Sequence, residues 1–64
     1  MMTTLTDAID YAKKMAEAHP FLKEFIMDDL SLCKCEIESG ESETNEVEHF
    51  YDAVNEIIEA SQEQ

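Results

Sequence analysis

One proline and one glycine, Pro20 and Gly40, are the only strong backbone breakers in this 64-residue chain. They divide it into three stretches of comparable length. Each stretch repeats its apolar residues near the 3.6-residue period of an α-helix. A sheet protein of this size would need turn chemistry every few residues, and two breaks do not supply it. The pattern predicts an all-α fold in a single domain, 1–64, with short amphipathic helices over about 5–18, 20–38 and 46–61.

In the first stretch Leu5, Ala8, Ile9, Ala12, Met15 and Ala16 share one face. Thr4, with Asp7 three residues on, has the form of a capping box, and Asp10 precedes Lys14 by about one turn. His19 ends this helix, because the residue before a proline is pushed out of the α region. Pro20 suits the first turn of the next helix, and Ser39-Gly40 provides its stop. That second helix carries two apolar stripes. Leu22, Ile26, Leu30, Cys33 and Ile37 form one, Phe21, Phe25 and Leu32 the other, with Asp29 and Glu36 between them. So wide an apolar surface needs more than one neighbour. In the third stretch Asn45 is the expected cap, with Glu48 in the reciprocal position. Val47, Phe50, Tyr51, Val54, Ile57 and Ile58 then share a face. A strand over Leu30 to Ile37 is the rival reading, but its alternation changes phase between Leu32 and Cys33.

A chain this short is marginal as a monomer. Burial contributes roughly 96 kcal/mol of apolar stabilisation, and ordering 64 residues costs about as much. Dimerisation is one escape. The expected core and dimer contacts are Phe21, Leu22, Phe25, Ile26, Leu30, Leu32, Phe50, Val54 and Ile57, with a homodimer packed through the second helix. The longest apolar run, Phe25-Ile26-Met27, leaves no room for a signal-peptide core or a membrane span.

Charge is the strongest functional signal. The four basic residues, Lys13, Lys14, Lys23 and Lys34, all precede residue 35, where six acids accompany them; from Glu36 onward ten acids face no cation, and the net charge is -12. Such a field favours basic partner surfaces and disfavours nucleic acid and anionic membrane. Opposite the apolar face of the third helix lie Glu48, Asp52, Glu56, Glu59 and Glu63. Together with Glu41 and Glu43 on the approach, they are the expected partner-binding face. A solvated surface is the plain alternative for any one of them.

Chemistry finds little support. Cys33-Lys34-Cys35 has one intervening residue where structural zinc sites usually have at least two, and on a helix the two thiols diverge by roughly 200°. Cys33 then faces the core and Cys35 solvent. His19 and His49 come from opposite ends of different helices and make poor additional ligands. Both cysteines lie near the negative end of the second helix among Asp28, Asp29, Glu36 and Glu38, which favours the unreactive thiol. Two cysteines without a secretion signal fit a reducing cytosol. The acidic stretch from Glu38 to Asp52 lacks the loop grammar of a calcium site. No cofactor, metal or catalytic residue is expected.

The start Met2-Thr3-Thr4-Leu5-Thr6-Asp7, taken with the short, acidic, helical character of the whole chain, resembles the small accessory proteins of the exo–xis early region of lambdoid phages. The resemblance implies an early protein in the cytoplasm of an infected bacterium that biases host physiology by binding, without enzymatic activity. It carries over no functional residue, because that group shares no catalytic signature.

The function expected from these readings is a non-enzymatic acidic module that binds a basic surface of a host or phage protein, a decoy that mimics DNA being one form of it. The rival is a dimeric scaffold that takes a partner helix in an apolar groove, with acidity serving solubility alone. A small metal or redox protein is the third class, and elemental analysis separates it. The purified protein should carry no stoichiometric zinc; bound zinc whose chelation melts the helices would revive the metalloprotein reading.

Overall fold

Thr4 begins the first helix as the sequence predicts: its Oγ1 accepts a hydrogen bond from the Asp7 backbone N–H at 3.2 Å. The computed structural model describes residues 4–62, and almost all of these are helical. Helix α1 spans Leu5–Ala18, α2 Lys23–Glu38 and α3 Glu43–Gln62. α2 is the central element, packed against both α1 and α3, and α1 and α3 touch more lightly. None of the described helices is long and apolar enough to cross a membrane.

The first connection differs from expectation in one detail. Residues Pro20–Leu22 form a 3₁₀ turn, not the first turn of α2. Pro20 has no N–H to offer, and the Leu22 N–H donates to the His19 carbonyl at 2.9 Å, three residues back. That tighter winding delays α2 to Lys23. The rival strand over Leu30 to Ile37 is absent; those residues are helical.

The end of α2 is a Schellman motif. The Glu41 N–H donates to the Glu36 carbonyl and the Gly40 N–H to the Ile37 carbonyl, both at 3.1 Å. Gly40 occupies the position that needs positive φ, at 107°. No atom crowds a Cβ placed there, so backbone strain alone selects glycine.

α3 starts three residues before the expected position, and Ser42 takes the capping role assigned to Asn45. The Ser42 Oγ accepts from the Asn45 N–H at 3.4 Å, and its carbonyl accepts from the Glu46 N–H at 3.0 Å. Serine and asparagine cap about equally well. The earlier start adds nearly a turn and places Glu43 and Glu46 in the first turn, where the helix dipole favours acids.

The core is one cluster drawn from all three helices: Ala8, Ala12, Ile26, Cys33, Val47, Phe50 and Val54. Ala16 is buried as well. Leu22, Leu30 and Ile37 pack against this cluster as the inner stripe of α2, and Met15 and Ile58 flank it. Tyr11 ties α1 to α3. Its ring meets Phe50 edge-on at 6.5 Å and lies tilted over Tyr51 at 4.8 Å, while its hydroxyl donates to Asn55 Oδ1 at 3.1 Å.

Replacing Gly40 with alanine should cost about 1–2 kcal/mol through the positive φ alone. A fall in Tm of roughly 4–8 °C per kcal/mol is the expected readout in calorimetry. An unchanged Tm would mean the turn relaxes to another geometry and the Schellman bonds do not hold it.

Candidate interaction surface

The outer side of the α2–α3 seam is open to solvent. At one end a hollow of about 170 Å³ is lined by Asp29, Leu32, Cys33 and Glu36 from α2 and by Glu46, His49, Phe50 and Ala53 from α3. At the other end a hollow of about 400 Å³ lies between Leu22 of the 3₁₀ turn and Phe25 of α2 on one side and Ile57, Ala60 and Ser61 of α3 on the other. The α3 positions 46, 49, 50, 53, 57 and 60 recur at helical spacing, so they form one stripe along the axis. Ala53 and Ala60 stand where longer side chains would fill the seam.

Phe25 and Leu32 of the second apolar stripe line this seam, and Phe21 of that stripe lies in the 3₁₀ turn before α2. Phe21 is 97% exposed, Phe25 60% and Leu32 59%. The three residues grouped with the dimer and core contacts are thus outside the core of the monomer. Ile26, Phe50 and Val54 from the same group are buried, and Leu22, Leu30 and Ile57 are half-buried. The seam residues Ala53, Ala60 and Glu46 were not singled out from sequence. The signal was present as two alanines seven residues apart beside Phe50 and Ile57.

The acids divide into two groups. Glu48, Asp52, Glu56 and Glu59 are exposed on α3, turned away from its core face, and α3 contains no lysine or arginine. Glu41 is exposed in the turn. Glu43, also exposed, makes a contact that the sequence did not predict: its Oε2 accepts a 2.8 Å hydrogen bond from the Leu5 backbone N–H. A carboxylate from α3 therefore satisfies a free donor at the positive end of α1. Glu63 lies outside the described residues. Lys13 and Lys23 line a separate hollow between α1 and α2, with Ala16, Glu17, Pro20 and Met27.

Burial raises the Cys33 thiol above its ordinary range, and the carboxylates of Glu46 and Glu43 raise it further. The acids acting on it belong to α3, not to the neighbours along α2 that sequence pointed to. Cys35 is exposed on the other side of α2. Among the described residues no group of three or more His, Cys, Asp or Glu side chains is arranged to hold a metal ion. Burial also raises Tyr11, with a smaller contribution from Tyr51. No family model matches the chain, and neither the curated proteins nor the solved structures yield a match.

Asp29 sits in the seam with its carboxyl raised by burial first and by Asp28 second. A carboxyl raised in the folded state adds stability below its unfolded value. That contribution is lost as pH rises through the folded value, so ionised Asp29 is a net cost at neutral pH. Asp29→Asn should raise Tm at pH 7 by about one or two degrees, the scale of a part-exposed site, and the gain should vanish near pH 3. A lower Tm at pH 7 would show that the charge serves the fold.

Proposed function

We propose that this protein is a non-enzymatic interaction module that recognises a basic surface on another protein. The observation that carries the reading is the outward face of α3. Glu48, Asp52, Glu56 and Glu59 lie along a rigid helix with no cation on it. Like charges about one turn apart repel by a few tenths of a kcal/mol per pair, so the arrangement works against the helix that bears it. A purely structural helix would relieve that repulsion with an occasional lysine.

A row of fixed carboxylates complements a basic groove, including one that ordinarily takes nucleic acid. In that case the protein acts as a decoy for phosphate charge. The resemblance to short accessory proteins of lambdoid phages supports a setting in the cytoplasm of an infected bacterial cell, with a host or phage protein as the target. A second reading is favoured by the exposed Phe21, Phe25 and Leu32: a homodimer, or a dimeric scaffold, in which these residues are covered by another copy and the acids only solubilise.

Changing Glu48, Asp52, Glu56 and Glu59 together to glutamine separates the two. On the proposed reading Tm should hold or rise by a few degrees, and salt-sensitive binding to a basic protein should be lost. A loss of several kcal/mol would mean the carboxylates serve the fold. Retained binding in the glutamine variant would defeat the acidic-face reading.

A further inference from the structure

We infer that the open seam between α2 and α3 receives a basic amphipathic helix from a different protein, with its apolar side in the seam and its lysines or arginines against the acidic rim. The inference rests on the reading of α3 as an acidic docking face, and it names the chemistry of the partner. The seam has the dimensions for it. From Glu46 to Ala60 is fourteen residues, about 21 Å of helix rise, so about four turns of a partner helix fit along it. Phe25 belongs to one hollow and Leu32 to the other. They are seven residues apart, or about 10 Å along α2. Two apolar anchors at i and i+7 on the partner match that spacing. Asp29 lies between the two, so the intervening partner position takes a cation or a polar group.

Charge decides between occupants. Asp29, Glu36 and Glu46 line the seam, with His49 the one ionisable nitrogen among its lining residues, and Asp52 and Glu56 are exposed further round α3. Lys13 and Lys23 belong to the hollow on the other side of α2. Lys34 is two residues from Leu32, roughly 200° around the helix. A second copy meeting this face would set acid against acid, a juxtaposition that selects against the wrong partner. A basic helix reverses the sign of every one of those contacts. Grooves of this kind commonly hold amphipathic helices through anchors at i, i+3, i+4 or i+7.

Three synthetic peptides of about four turns test this by fluorescence anisotropy with the full chain. The first has leucines at i and i+7 and lysines on both flanks. The second has the same composition with the leucines scattered off one face, and the third replaces the lysines with glutamate. The first peptide should bind about tenfold or more tighter than the second, and the third should not bind. Phe25→Ser and Leu32→Ser should each bring the first peptide down toward the second, with helix content unchanged in circular dichroism. In the unsubstituted protein the amide resonances of Ala53 and Ala60 should shift on adding the first peptide. Equal binding of the first two peptides, lost only in the glutamine variant of α3, would overturn the groove while leaving the acidic-face reading intact. Failure of both basic peptides to bind would sink both. A protein that self-associates, becomes monomeric on Phe25→Ser and ignores the first peptide would give the seam to a second copy and overturn the inference.

Discussion

Ala8, Ala12 and Ala16 are all buried, so α1 approaches the other helices along a stripe of small side chains, with Tyr11 and Met15 beside it. The rest of the core is built from Ile26, Cys33, Val47, Phe50 and Val54, with Phe50 its bulkiest member. Close approach through alanine lets three short helices share one core around Ile26 and Phe50, because dispersion contacts accumulate over backbone as well as side chains. It also limits the volume available inside. Turning α2 to bury Phe25 would rotate Ile26 by about 100° out of the cluster. The bundle therefore keeps one stripe of α2 and leaves the other outside.

The alanine and isoleucine stripes were legible because periodicity is a local property. So were the Thr4 cap, the end of α1 at Ala18 and the turn at Ser39-Gly40, each of which depends on residues within a few positions of one another. The two stripes of α2 were visible for the same reason, and the structure buries the first and exposes the second. What the sequence does not carry is distance between segments. The Glu43 bond to the Leu5 N–H and the Tyr11 bond to Asn55 join residues 38 and 44 positions apart. Neither has a local signature. Glu43 could be counted only as one more acid, although its carboxylate caps another helix. The choice of Asn45 as the cap of α3, where the structure uses Ser42, failed for a different reason. Two good caps three residues apart are nearly degenerate, and the added turn of helix decides between them.

The position of the acids along the bundle follows from that same Glu43 bond. It joins the start of α3 to the start of α1, two helices that run side by side in the same direction, and Tyr11 beside Phe50 and Tyr51 marks the same alignment about two turns later. α3 is the longer helix, at 20 residues against 14. Its second half therefore runs on beside the start of α2, where Ile57 and Ala60 meet Leu22 and Phe25. The longer α3 thus extends the outer groove between α2 and α3 from the hollow at Glu46 to the one at Ala60.

Acids and exposed aromatics on one side of a molecule would govern different stages of an encounter. The carboxylates of α3 act over about a Debye length, roughly 8 Å at physiological salt, and raise the rate at which a basic partner arrives. They contribute less once water is excluded unevenly from each pair, since exposed ion pairs are worth about 1 kcal/mol or less. Phe25 and Leu32 do the opposite: they exert no pull at a distance, and burying them would slow departure. A surface with only the acids would bind many basic proteins briefly. With only the aromatics it would tend to bind itself. On the proposed reading, repulsion between two copies of the acidic rim would restrain that second outcome, so the charge that attracts a basic partner would also leave the apolar stripe of Phe25 and Leu32 available to it.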